Sequence, residues 1–76
     1  MSERISIDPR ICHGKPVIKG TRVLVSNILG FLANGNTIDE VLEDFPLITR
    51  EDILAAISFG SLLSNFESST YDIKAS

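Results

Sequence analysis

Cys12 is the only cysteine among 76 residues, and this feature limits the possible folds more than any other. A chain this small buries only about 60% of the surface that its unfolded form exposes, so its core is thin. Small domains often compensate with disulfides, a structural metal ion or a partner subunit. One cysteine excludes an internal disulfide, and the adjacent pair Cys12 and His13 has no further Cys or His to complete a four-ligand metal site. We therefore expect no metal or cofactor, and we expect a partner subunit.

Composition indicates a single globular domain. Apolar residues make up 43% of the chain, which is too many for a disordered acidic tail. No apolar run is long enough to span a membrane, and the first residues lack the order of charges and apolar residues found in a signal peptide. Together with the lone thiol, these features predict a cytoplasmic protein without a membrane partner.

The charges are divided unevenly along the chain. Residues 1–22 carry five cations against two carboxylates, a net +3, whereas residues 23–76 carry two cations against eight carboxylates, a net −6. Ordinary solvated charge explains this division as well as a functional reading does. In the functional reading, the basic part meets phosphate or the opposite end of a partner.

Residues 1–24 are predicted to form a β ribbon. Ile5 and Ile7 alternate with polar residues, and two turn signals follow, around Gly14 and at Lys19-Gly20. These features predict two or three short extended segments joined by tight turns. Such a ribbon is barely stable alone, so it must lie on helices or pair with another chain.

Three helices are predicted after the ribbon, each with its own boundary signals. The first starts at Val25 and ends at Asn34-Gly35, a left-handed C-terminal cap. The second opens with a capping box at Thr37 and stops before Pro46. The third is capped by Thr49 and runs to about Asn65. The predicted units are therefore a ribbon over 1–24, a three-helix core over 25–66 and a flexible tail over 67–76.

The third helix carries two apolar stripes where a surface helix needs one. One consists of Ile53, Ala56, Ile57 and Gly60, and the other of Ala55, Phe59, Leu62, Leu63 and Phe66. Either the helix is buried both in its own core and against another chain, or the ribbon covers the second stripe. A close approach of another backbone would explain a glycine at position 60, although a kink or an early helix end would explain it too.

No arrangement of residues supports catalysis. Cys12 and His13 have no third group to orient a base, and Gly14-Lys15 resembles a phosphate loop only superficially, because Pro16 stands where Ser or Thr would be. The neighbouring carboxylates are typical of solvated faces and helix caps. We therefore predict that the protein is not an enzyme.

The second and third helices suit a helix-turn-helix, joined by residues 45–49. In that motif the first residues of the second helix face DNA, so Arg50 is placed to read guanine and Thr49 to contact phosphate. Glu51 and Asp52 would repel the DNA backbone, and a plain helical hairpin is an equally good reading. The predicted fold class is mainly α: a three-helix, helix-turn-helix-like (homeodomain-like) domain with a short N-terminal β-hairpin or ribbon.

Most of the chain resembles a small prokaryotic family. The string Gly14-Lys15-Pro16-Val17-Ile18-Lys19-Gly20-Thr21-Arg22 carries the resemblance, supported by matches from Ile7-Asp8-Pro9 through Ala55-Ala56. The family is the domain of unknown function numbered 433, grouped with VapB-type antitoxins. The resemblance implies a helix-turn-helix-like fold, a homodimer, a PIN-like nuclease toxin as partner, and possible binding to operator DNA.

Two functions are expected from this combination. The first is an antitoxin-like protein that neutralises a PIN-like nuclease toxin, binding it through the third helix and tail at Phe59, Leu62, Leu63, Phe66 and Tyr71; such a protein can also repress its own operon. The alternative is a dimeric helix-turn-helix transcriptional regulator without a toxin partner. It would contact DNA through Thr49, Arg50, Lys19 and Arg22.

Overall fold

The computed structural model describes the backbone of residues 3–75 and the side chains of residues 3–64. In chain order, strand β1 is Ile5–Ser6, a short 3-10 turn is Cys12–Gly14, and strand β2 is Val17–Ile18. Helix α1 is Val25–Ala33, helix α2 is Ile38–Asp44, and helix α3 is Arg50–Ala75. No helix in the described part of the chain is both long and apolar enough to cross a membrane.

The predicted ribbon is present as three short extended segments. β1 pairs antiparallel with β2, with Ile5 opposite Ile18, and an isolated bridge joins Val17 to Leu24 on the other side of β2. A tight turn at Lys19-Gly20 connects β2 to the third segment, with Gly20 at a φ of +81°. The Thr21 hydroxyl closes this turn, donating to the Ile18 carbonyl at 2.8 Å and accepting from the Val23 N–H at 3.0 Å.

The turn before β2 has an unusual backbone. Cys12 and His13 both have positive φ, at +50° and +58°, and Gly14 follows at +79°. Left-handed conformations cost L-residues about 1–2 kcal/mol each, so this turn stores strain at two non-glycine positions. The turn lies beside the third extended segment, because the Cys12 Sγ is 3.9 Å from the Arg22 carbonyl oxygen.

The predicted caps of α1 and α2 are confirmed. After α1, Gly35 has a φ of +98°, its N–H donates to the Leu32 carbonyl, and the Asn36 N–H donates to the Phe31 carbonyl, which is the Schellman pattern. At the start of α2, the Thr37 hydroxyl accepts from the Glu40 N–H while the Glu40 carboxylate accepts from the Thr37 N–H.

The end predicted for the third helix was wrong. α3 continues to Ala75 rather than stopping near Asn65. The sequence beyond Gly60 contains no glycine or proline, so no residue there interrupts the helical hydrogen bonds. The polar composition on which the shorter helix was predicted does not itself end a helix. The flexible tail predicted over 67–76 has its backbone within α3 as far as Ala75, and its side chains lie outside the described residues.

The core forms where α1, α2, the first half of α3 and the ribbon meet. Both predicted stripes of α3 face this core at their N-terminal ends, because Ile53, Ala55 and Ala56 are all buried. A glycine at position 60 leaves room for the Leu29 side chain of α1, since a Cβ there would lie 2.8 Å from Leu29 Cδ1. The close contact at Gly60 is therefore with a side chain and not with another backbone, which was one of the explanations offered by the sequence. The buried apolar residues are Ile5, Val17, Ile18, Val25, Ile28, Val41, Ile48, Ile53, Ala55 and Ala56.

Candidate functional site

The start of α3 is held by a second capping box. The Thr49 hydroxyl accepts from the Asp52 N–H at 3.2 Å, and the Asp52 carboxylate accepts from the Thr49 N–H at 2.9 Å. This pairing satisfies two backbone donors that the first turn of a helix leaves open. The hydroxyl of Thr49, which the sequence assigned to phosphate contact, therefore already serves as a helix cap.

Asp52 also connects this helix to the ribbon. The Arg4 guanidinium donates to the Asp52 carboxylate at 3.0 Å, and Asp52 is only 8% exposed. Burial by itself raises the pKa of Asp52, but hydrogen bonds from Thr49 and Arg4 outweigh it and hold the pKa below its ordinary value. Of the two acids expected to repel DNA, only Glu51 is thus on the surface.

Arg50 lies on the surface at the first position of α3. Its guanidinium is 3.6 Å from the Asp39 carboxylate of α2, and both side chains are mostly exposed. An exposed pair of this kind contributes about 0–1 kcal/mol. Arg50 therefore remains available to an external anion at little cost.

The ribbon places two further predicted residues near the start of α3. The Lys19 N–H donates to the Arg4 carbonyl at 2.8 Å, and the side chain of Arg4 reaches Asp52. Arg22 shares a cleft with Leu47, which lies in the turn leading into α3. We call Lys19, Arg22, Thr49 and Arg50 the basic end. Thr49 and Arg50 stand at the start of α3, whereas Lys19 is connected to it through Arg4, and Arg22 through the cleft that it shares with Leu47.

The predicted partner-binding residues lie further along α3. Phe59 is half-buried and packs against the core, so only part of its ring is accessible. Leu62 and Leu63 are 63% and 53% exposed, and we call this pair the distal leucines. The side chains of Phe66 and Tyr71, also predicted here, lie outside the described residues.

The distal leucines continue the core-facing side of the helix. Leu63 follows Ala56 by seven residues, which is two helical turns, and therefore projects to the same side. Ala56 is fully buried, and the Leu29 side chain of α1 packs beside Gly60. The apolar stripe therefore runs past the part of the core that covers it.

In α3 and the turn before it, the sequence did not predict the exposure of three apolar residues. Leu47 is 80% exposed, Leu54 is 51% exposed, and Ile57, which was assigned to a buried stripe, is 39% exposed. Leu54 falls outside both predicted stripes, and this was the feature of the sequence that indicated its exposure. Leu47 gave none, because an apolar residue in a turn between helices usually points inward.

Among the described residues, no group of three or more His, Cys, Asp or Glu side chains is arranged to hold a metal ion.

At the other turn of the ribbon, Asp8 is paired with Arg10, whose guanidinium lies 2.9 Å from the carboxylate. Hydrogen bonds from the Arg10 side chain and then from its backbone N–H lower the pKa of Asp8. This pair engages one of the five N-terminal cations, and Arg4 is engaged by Asp52.

The architecture defines a class: a small, mostly helical, helix-turn-helix-like domain with an N-terminal two-stranded hairpin and two exposed surfaces on its third helix. Residues 5–60 match the family described as "Protein of unknown function (DUF433)", so the chain belongs to the DUF433 family. The family expected from the Gly-Lys-Pro and Gly-Thr-Arg residues is thereby confirmed, and an antitoxin role stays a prediction.

Two relatives extend this comparison. "Uncharacterized protein y4eO" from Sinorhizobium fredii (strain NBRC 101917 / NGR234) is 35% identical over 54 residues, which cover 71% of this chain and 24% of that protein. The chain therefore spans about a quarter of the length of this curated relative. The crystal structure of a DUF433 member protein from Anabaena variabilis ATCC 29413 aligns with a TM-score of 0.75 and 29% identity, covering 95% of this chain and 69% of that one.

Proposed function

We propose that this chain is an antitoxin-like binding protein that holds and neutralises a PIN-like nuclease. The observation that carries the proposal is the exposure of the distal leucines, Leu62 and Leu63, on the continuation of the core-facing stripe of α3. Isolated surface leucines are common, but two adjacent ones that extend a buried stripe form a continuous apolar surface.

The arrangement fits recognition of a helix by an apolar groove. In that mode a helix presents apolar anchors at spacings of three, four and seven residues, and Phe59, Leu63 and Phe66 have the spacing i, i+4 and i+7 in the sequence. Burying one leucine contributes about 1.5–3 kcal/mol. Inhibition would work by obstruction, because a helix seated across the nuclease keeps RNA from its active site.

A binding and cleavage assay tests this proposal. The nuclease encoded beside this chain is captured by the wild-type protein, and its ribonuclease activity is measured with and without the chain. We expect binding and loss of cleavage with the wild type, and loss of both effects with the double variant Leu62→Gln/Leu63→Gln. Ile7→Gln is the matched control, because Ile7 is 48% exposed in the ribbon and belongs to neither apolar surface of α3. Equal inhibition by the wild type and the double variant would refute the proposed contact, and absence of binding would refute the function.

A second candidate is a dimeric regulator that binds operator DNA with its basic end. The specific observation in its favour is that Lys19 and Arg22 lie near the start of α3, where Arg50 is exposed. Among the described residues, no carboxylate is paired with Lys19 or Arg22. The repulsion expected from Asp52 is reduced, because its carboxylate is buried against Arg4 and Thr49.

The salt dependence of DNA binding tests the second candidate. Each phosphate contact adds about 0.9 to the slope of log affinity against log salt concentration, so Lys19→Ala and Arg50→Ala should each lower that slope by about 1. Arg10→Ala is the control, because Arg10 is already paired with Asp8. No retardation of the promoter fragment at low salt would eliminate this candidate.

A further inference from the structure

A cleft lies between the ribbon and the turn that leads into α3, and we call it the ribbon cleft. Its volume is about 550 Å³, within the range of about 300–1,000 Å³ found for small-ligand pockets. The residues that line it include Ile11, Val17 and Leu47, with Arg22 at the same site. Thr21 also lines it, but its hydroxyl is already used inside the ribbon.

The ribbon cleft is apolar and carries a positive charge. Leu47 is 80% exposed, which is unusual for a leucine beside other apolar walls. Arg22 is exposed and has no carboxylate partner among the described residues. An occupant that complements these walls therefore carries aliphatic side chains next to a carboxylate.

The first half of α3 presents a surface with that chemistry, which we call the α3 ridge. It consists of Glu51, Leu54 and Ile57, at successive intervals of three residues, so the side chains follow one inclined row along the helix. All three are exposed, and Glu51 has no cationic partner within the described part of the chain. The α3 ridge is thus apolar with a negative charge at one end.

We propose that a second copy of this chain occupies the ribbon cleft with its α3 ridge, placing Leu54 against Leu47 and Glu51 beside Arg22. Leu47 precedes Glu51 by only four residues, so cleft and ridge are neighbours on one molecule. A two-fold axis between the copies repeats each contact, as an isologous interface requires. This inference goes beyond the proposed function, since neither nuclease binding nor DNA binding specifies where two copies meet.

Charge and size favour this occupant over others. An acidic helix supplies a carboxylate partner for Arg22, the single cation of the cleft. The α3 ridge lies on the net-negative part of the chain, whereas most residues of the ribbon cleft lie on its net-positive part. Pairing also buries exposed leucines that a 76-residue domain with a thin core leaves in water. In such a dimer Arg22 serves the interface, which leaves Lys19 and Arg50 facing outward for nucleic acid.

Light scattering coupled to size-exclusion chromatography tests the proposal on the full chain. The monomer mass is 8.3 kDa, and we expect the wild type to approach twice that value as its concentration rises through the micromolar range. Arg22→Glu and Glu51→Arg should each weaken dimerisation by at least about tenfold, because each places like charges together. The combined variant Arg22→Glu/Glu51→Arg should dimerise again, since the ion pair is restored in reverse.

Further variants distinguish this interface from a contact elsewhere on the chain. Leu54→Gln should weaken the dimer without altering charge, and Glu43→Arg is a control reversal on the exposed surface of α2. Circular dichroism establishes that each variant is folded.

A wild type that stays at the monomer mass, or a reversed pair that is folded but stays monomeric, would overturn the proposal. Loss of the dimer only in Leu62→Gln/Leu63→Gln would also overturn it, by placing the interface at the distal leucines. Because the nuclease assay uses that separate pair, failure of one proposal leaves the other testable.

Discussion

At the scale of single residues, Asp52 connects the start of α3 to the ribbon. Its carboxylate accepts from the Thr49 N–H and from the Arg4 guanidinium, so it caps α3 and holds the ribbon against that helix. Hydrogen bonds to a charged group contribute about 1.5–3 kcal/mol each. One side chain therefore couples the position of the basic end to the stability of the fold.

Replacing Asp52 should lower stability by about 2–3 kcal/mol. Asp52→Ala removes the carboxylate that accepts from the Thr49 N–H and from the Arg4 guanidinium, and urea unfolding measures the resulting change in free energy. Glu43→Ala is the control, because this carboxylate is exposed on α2 and its loss should change stability by no more than about 0.5 kcal/mol. Equal effects of the two substitutions would show that the capping box and ion pair do not stabilise the fold.

The same residue predicts a dependence on pH. Because folding lowers the pKa of Asp52, its contribution is fully present above the pKa of an unfolded aspartate, about 3.9. It is lost as the pH falls through the lower pKa of the folded state. The wild type should therefore lose stability below about pH 4, and Asp52→Ala should lose less over the same range. Asp8, whose pKa is also lowered, leaves a residual slope in both proteins, and identical slopes would contradict the prediction.

At the scale of the elements, boundaries were predictable where a local signal exists. Thr37, Gly35 and Thr49 each act on residues within one turn, so the starts of α2 and α3 and the end of α1 could be read from the sequence. The contact between Arg4 and Asp52 spans 48 positions, and no local pattern reports it. The far end of α3 was missed because the residues there contain no stop signal.

The candidate surfaces were predictable to a smaller extent. An apolar pattern identifies which residues would gain from burial, and on this basis Leu62 and Leu63 were predicted to bind a partner. It cannot tell whether a neighbouring element reaches them, which depends on where α1 and the ribbon end. For the same reason Ile57 was assigned to a buried stripe, although α3 presents it to solvent.

The packing of α1 against α3 gives the prediction at this scale. Gly60→Ala gains about 1 kcal/mol of helix propensity, but its Cβ would lie 2.8 Å from Leu29 Cδ1, and displacing that side chain offsets the gain. We therefore expect Gly60→Ala to change the free energy of unfolding little in the wild type. In a Leu29→Ala background, where the space is open, the same change should stabilise by about 1 kcal/mol. A double-mutant cycle by urea unfolding measures this difference, and a cycle with no coupling would contradict the contact.

At the scale of the whole molecule, the fold is elongated for its length. Its radius of gyration is 13.6 Å, whereas about 11 Å is typical of a compact domain of 76 residues. The described core involves residues 5–56, and α3 extends well beyond it. The basic end and the distal leucines therefore lie at different places along one helix, and two partners need not compete for the same surface.

This separation predicts that the chain remains folded without its last residues. Truncation after Ser64 retains every buried residue of the described core, so its melting temperature should stay within about 4 °C of the full chain, a shift that corresponds to less than about 1 kcal/mol. Truncation after Ser58 is the matched control, since it removes Phe59 and the close contact of Gly60 with Leu29 and should lower the melting temperature much further. Thermal unfolding followed by circular dichroism measures both. If removal of residues 65–76 proved as damaging as the shorter truncation, the end of α3 would have to pack against the core, and the distal leucines would no longer be a surface left open for a partner.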